Sequence, residues 1–258
     1  AYNFKNDFTN GTVNVNSGGV LDNNKYGVSG GTTLNATVVG QGSTTLTAGA
    51  FNVNNGGQAI LNNISATGGK MTVASGGTLT LTTGTKDGLG AGSGNITIAV
   101  TNNGAYNMYG NITDSNNIVG NTTATLTIGD NNTAAKNTVT MTGNITGHKT
   151  ITIQQDGTLD MSTGSGNITG GTTFTIATGG TLLMAASTIS DATINNSGYI
   201  QFDTTTVKSH INSTNGTLKA IDSTTFINNT SSNGGAINQT GGSVSITNGT
   251  FKGNYATG

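Results

Sequence analysis

The sequence predicts an all-β chain, specifically a right-handed parallel β-helix (β-solenoid) of about twelve rungs. Three observations lead there: a repeated apolar spacing around glycine, a composition hostile to helices, and corners built from Gly, Asn and Ser. The spacing is clearest in Met71-Thr-Val-Ala-Ser-Gly-Gly-Thr-Leu-Thr-Leu81. Counted from Gly77, apolar residues fall at −6, −4, +2 and +4. Two period-2 segments thus flank a turn, and alternate side chains within each point to one face. The same four slots are filled around Gly57, Gly104, Gly157, Gly180 and Gly198, and partly around Gly19 and Gly242. A chain that is only 32% hydrophobic does not place its apolar residues so regularly by accident. One such unit cannot bury its own apolar face, whereas stacked units bury it as a continuous column.

Composition supports the same fold. The 42 glycines and the absence of Glu and Arg argue against long helices. Val, Ile and Thr favour strands. Only 7% of residues are charged and Pro is absent, unlike a disordered chain. Net charge is −1, so there is no basic field for nucleic acid or anionic lipid. No apolar run reaches the roughly 20 residues of a membrane helix, and no signal peptide pattern is present. With no cysteine, disulfides and thiolate metal sites are excluded. An antiparallel sandwich is the alternative fold, but it calls for longer alternating strands and regular tight hairpins.

The whole chain, 1–258, reads as a single solenoid. Residues 1–10 hold Tyr2, Phe4 and Phe8 and read as a terminal cap, or else as the first strand of the first repeat. The interval from Gly19 to Gly57 is nearly twice that from Gly57 to Gly77, which predicts a degenerate copy near Leu34–Val39. Thr83–Gly94 is too rich in glycine for a strand and reads as a projecting loop. The long interval from Gly104 to Gly157 has room for two extra turns, with strands at Ala124–Ile128 and Thr138–Met141. Gly-Asn-Ile-Thr recurs at Gly94, Gly110, Gly143 and Gly166 and reads as a corner feeding the next strand. Before Gly216 the slots hold His210 and Asn212, so Ile211 is expected to turn inward after a one-residue slip. From residue 221 the motifs change, to Phe226-Ile-Asn-Asn229, Gly234-Gly-Ala-Ile237 and Phe251-Lys-Gly-Asn254. Gly258 falls within a repeat, and the natural protein is expected to continue beyond it.

These residues carry a resemblance. Asn14-Val-Asn-Ser-Gly-Gly19, Asn52-Val-Asn-Asn-Gly-Gly57 and Val73-Ala-Ser-Gly-Gly-Thr-Leu79 resemble the degenerate repeats of self-associating and diffuse-adherence autotransporter passengers. Residues 221–258 are similar to the chlamydial polymorphic membrane protein repeat, which pairs FxxN with GGA(I/L/V). The resemblance implies a right-handed β-helix secreted through a C-terminal outer-membrane barrel. It also implies adhesion or aggregation at the bacterial cell surface. The partner would be a host receptor or glycan, or another copy of the chain, without membrane contact by this segment.

Catalytic signals are weak. His148 and His210 are the only histidines, and neither has a recognisable Ser-His-Asp partner set. Paired carboxylates for glycoside hydrolysis would have to come from Asp156/Asp160 or Asp203/Asp222, each of which reads as a solvated turn or face. Asp130-Asn-Asn132 reads as a turn before a cation site. The expectation is no catalytic residue, no cofactor and no metal. Outward Thr rows could also suggest an ice-binding face, but Thr-x-Thr at Thr78–Thr82 and Thr125–Thr127 does not hold a constant slot through the array, which argues against that reading. The remaining readings are a polysaccharide-active β-helix and a passive stalk.

Overall fold

A computed structural model describes residues 50–83, 93–131, 136–171 and 173–258, together with the backbone of four strands before residue 50. The described chain is a parallel β-solenoid: every strand pair is parallel, and consecutive strands wind around one axis. Most turns contribute short strands to three faces; near the C-terminal end Thr230–Ser231 and Tyr255–Ala256 form a further two-stranded sheet. The turn through Lys70–Val73, Thr78–Thr82 and Gly94–Ile96 shows the plan, one strand on each face in order. Among the described residues the third face stacks eleven strands, from Val28–Ser29 to Ser243–Ile246. At about 4.8 Å per rung the stack is about 50 Å long.

The apolar slots fill the interior. Phe51, Met71 and Val100 stack in register on the first face. Leu79, Tyr106, Leu126, Ile151, Phe174, Ile194 and Ile211 form one column on the second. Leu159, Leu182, Ile200, Leu218 and Val244 do so on the third. All but the terminal Val244 are buried. Alternation within each strand explains this, since every second side chain on a pleated strand points to the same side.

Several expectations change in detail. The strand Thr12–Val15 pairs directly with Ala50–Val53, and Val20–Asp22 with Gln58–Asn62. Among the described residues no strand lies between them on the first two faces; an additional one, Thr44–Leu46, enters on the third. Leu34–Val39 and the 1–10 cap lie outside the described residues. So does most of Thr83–Gly94, although Gly94 itself opens a third-face strand and is no loop residue. Ile211 does turn inward, stacked on Ile194.

The interval from Gly104 to Gly157 holds one extra turn plus one extra face, not two extra turns. Thr125–Ile128 and Asn137–Met141 are both strands, but they occupy the second and third faces of a single turn. The consequence is a shift of phase. Up to Gly104 the glycine pivot joins the first face to the second; from Gly157 onward it joins the second to the third. Gly-Asn-Ile-Thr moves with it. At Gly94 and Gly110 it feeds the third face, and at Gly143 and Gly166 the first.

Two copies also have shorter corners. At Gly104 the inward pair is Val100 and Asn102, stacked on Met71 and Val73; at Gly198 it is Ile194 and Asn196, stacked on Phe174 and Ile176. Both asparagines are buried and bonded alike. Asn102 Oδ1 accepts from Gly104 N (3.1 Å) while its Nδ2 donates to Thr125 O (2.9 Å). Asn196 Oδ1 accepts from Gly198 N (3.1 Å) and its Nδ2 donates to Thr217 O (3.2 Å). The side chain thereby replaces a longer backbone turn.

Asparagines stack at another corner. Asn144 N and Nδ2 donate to Asn117 Oδ1 (2.8 and 3.1 Å), and Asn144 Oδ1 accepts from Asn167 N and Nδ2 (2.8 and 3.2 Å). Asn167 Oδ1 then accepts from Thr188 N (2.7 Å). Asn144→Ala removes the middle of this ladder and leaves two partners short of a bond. The expected loss is about 2–3 kcal/mol in urea unfolding. An unchanged midpoint would mean that the ladder does not contribute.

Candidate functional site

The most regular exposed feature is the second face. Its outward slots alternate with the buried column beneath them. On consecutive rungs they carry Thr78 and Thr80, Ala105 and Asn107, Thr125 and Thr127, Thr150 and Thr152, Thr173 and Thr175, and Thr193 and Asn195. Register places Thr125, Thr150, Thr173 and Thr193 in one row and Thr127, Thr152 and Thr175 in the next. The Thr-x-Thr pairs therefore do occupy a constant structural slot, correcting the expectation from spacing alone. Their offset from glycine varies because the pivot changes corner.

None of these outward positions, nor Gln58, Ile60, His210, Asn212 and Asn238 on the same face, is Asp or Lys. The other faces are mixed. Lys70 and Lys208 point out from the first, and Asp160, Asp203 and Lys219 from the third. Along the second face the asparagines bond to one another: Asn212 Nδ2 donates to Asn195 Oδ1, and Asn238 Nδ2 to Asn212 Oδ1, both at 3.4 Å.

A shallow recess of about 320 Å³ lies at the corner of the first and second faces, lined in part by Asp191, Lys208, His210, Asn228 and Thr230. It forms because two rungs cross this corner without a loop, in the continuous strands Thr188–Asn196 and Thr206–Ser213. Asp191 makes one of those crossings with φ of 64°. His210 stands at the edge of the recess with both ring nitrogens engaged, Nδ1 with Gly235 O (2.6 Å) and Nε2 with Asn212 Oδ1 (2.8 Å). The neighbouring Ser209 is buried, and its Oγ accepts from Ala192 N (3.2 Å). Thus Ser209 and His210 are adjacent in sequence but not joined as nucleophile and base.

His148 is fully buried, its ring packed where any side chain on Gly120 would sit. Neither ring nitrogen has a hydrogen-bond partner, and burial holds the imidazole down to about 4. Asp156 is buried rather than solvated. Its carboxylate accepts from Asn131 N (2.8 Å), Asp130 N (3.3 Å) and Asn137 Nδ2, and so closes the turn of the rung before it. Asp160 accepts from Ser162 N and Oγ (2.9 and 2.6 Å), and Asp203 from Thr204 Oγ1 (2.9 Å). Asp222 is an exposed corner residue with φ of 48°. Among the described residues no three His, Asp or Glu side chains gather as a metal site.

Asp191 of the recess and Asp114 both escaped the sequence reading. Asp114 points inward on the third face, between Ile96 and Met141. Burial pushes its carboxyl up to about 7, against a small opposing effect of the Asn116 N–H that Oδ1 accepts at 3.0 Å. Its Oδ2 and the hydroxyl of Tyr106 are both buried without partners. Strict alternation after inward Ile112 was the available signal for this residue.

The Phe-x-x-Asn motifs stack on each other. Phe226 and Phe251 lie ring on ring, 4.7 Å between centroids and 9° apart. Asn254 Oδ1 accepts from Asn229 N (3.0 Å) and Nδ2 (2.9 Å), and Asn254 Nδ2 donates to Phe226 O (2.8 Å). Aromatic filling and asparagine bonding thus explain the spacing of the motif.

Comparison with known proteins returns nothing: no family model, no curated protein and no solved structure matches this chain.

Proposed function

We propose that this chain is an adhesion or self-association module displayed on a bacterial surface, the passenger of an autotransporter, which binds through a lateral face of the solenoid. The observation that carries the reading is the long second face, whose outward positions from Gln58 to Asn238 include no Asp or Lys, with Thr and Asn repeated rung after rung. A rod of this kind offers many weak hydrogen bonds to an extended partner rather than one deep pocket. The autotransporter-like Gly-Gly repeats and the Phe-x-x-Asn and Gly-Gly-Ala-Ile motifs support secretion and surface display.

Binding and settling assays on cells displaying the chain test this. Single substitutions along the second face are expected to weaken adhesion or aggregation gradually. Complete loss from one substitution elsewhere would count against the lateral face, and full adhesion after charging the whole face would refute it. The recess beside Lys208 and Asp191 favours one second reading, a carbohydrate-active β-helix. Product release from neutral and acidic polysaccharides, lost on Asp191→Asn, would establish that reading instead.

A further inference from the structure

We infer that the central second face, at Thr125, Thr127, Thr150, Thr152, Thr173 and Thr175, binds the surface of ice. The inference concerns this face alone and does not depend on cell-surface display.

Three strands in register make a two-by-three grid of threonines. Along the stack the rows repeat at about 4.8 Å, and across each strand the two columns lie about 6.7 Å apart, two residues of extended chain. Oxygen positions on faces of hexagonal ice repeat on rectangular lattices of similar dimensions. A regular grid of hydroxyls can therefore meet ordered water at many points together.

The chemistry of the grid fits that partner. No side-chain hydrogen bond within the described chain engages these six hydroxyls, in contrast to the asparagines further along the face, which bond to one another. Threonine is stiff at χ1, so hydroxyl and methyl are held in place before binding. Little ordering entropy then remains to oppose association. The absence of outward charge matters as well, because Asp or Lys would keep its own hydration shell and break the water lattice. The same features fit a polysaccharide less well: no aromatic ring lies within the grid to stack on a sugar, and the nearest outward one on this face is Tyr109, on the preceding rung.

The test is the freezing behaviour of the purified chain. Expected are faceted ice crystals, a gap between melting and freezing temperatures, and enrichment in slowly grown ice. Thr152→Lys places a charge at the grid centre and should abolish all three; Thr127→Lys repeats the test one rung away. Thr140→Lys on the third face should leave them intact, with circular dichroism and melting confirming that each variant is folded. Unshaped ice from the unsubstituted chain overturns the inference. So does ice shaping that survives both second-face substitutions, or a loss of self-association in Thr152→Lys without any effect on ice.

Discussion

Asp114→Asn is expected to stabilise the chain at pH 8 by on the order of 4 kcal/mol, with little effect at pH 4. The carboxyl is raised from 3.8 to about 7 because ionisation inside the column, between Ile96 and Met141, loses water without gaining a cation. Each tenfold change in proton affinity between the folded and unfolded chain corresponds to about 1.4 kcal/mol. A raised carboxyl holds its proton more tightly when folded than when unfolded. Stability is therefore full below about 4, falls as pH rises to about 7, and is level above that. Asparagine keeps Oδ1 for Asn116 N and never ionises. His148 acts in the opposite direction. Its imidazole is lowered from 6.5 to about 4, so its contribution is lost as pH falls through that range. The two dependences overlap and oppose each other between about 4 and 6.5. The unsubstituted chain should thus change little there, while Asp114→Asn should weaken steadily as pH drops below 6.5. Urea unfolding at pH 4, 6 and 8 measures both effects. Stability curves that run parallel for the two chains would show that Asp114 is not the source.

The apolar interior was legible because it obeys one rule throughout. Met71, Val73, Leu79 and Leu81 alternate on short strands, and stacking the units hides them all on one side. What spacing does not encode is which face a strand belongs to. Each of the three faces offers the same kind of inward slot to Ile, Leu, Val, Phe or Met, and each corner accepts the same short Gly or Asn turns. A shift by one face between Gly104 and Gly157 therefore keeps the inward slots filled, and its one trace in the sequence is the long interval between those glycines. It does move the outward residues. Thr78 and Thr80 follow their glycine, whereas Thr150 and Thr152 precede theirs, yet register puts both pairs on the second face. The threonine grid was hidden for that reason. Asn102 and Asn196 were hidden for another: a buried amide that closes a corner looks, in sequence, like any loop asparagine. The Asp156 turn is similar, since a common turn residue is here buried beneath three donors.

Phe174→Ala should cost about 3–5 kcal/mol, through lost transfer energy and the cavity left behind. Phe174 is buried in the second-face column between Ile151 and Ile194, and an alanine there leaves both without their neighbour. In a solenoid each rung gains stability from the rungs beside it, so a weak interface in the middle separates two segments rather than lowering the whole uniformly. Urea unfolding of the variant is expected to broaden or divide into two steps, with the rungs on either side of Phe174 losing protection from hydrogen exchange first. A single transition at an unchanged midpoint would contradict this account of the core. The substitution also links the core to the surface. Thr173 and Thr175 flank Phe174 on one strand, and their alignment with Thr150 and Thr152 depends on that strand lying flat over the ring. If the grid binds ice as a rigid lattice, Phe174→Ala should reduce ice shaping while changing no outward residue, and a more conservative Phe174→Leu should restore most of it. That pattern would tie the spacing of buried apolar residues directly to the geometry of the exposed face.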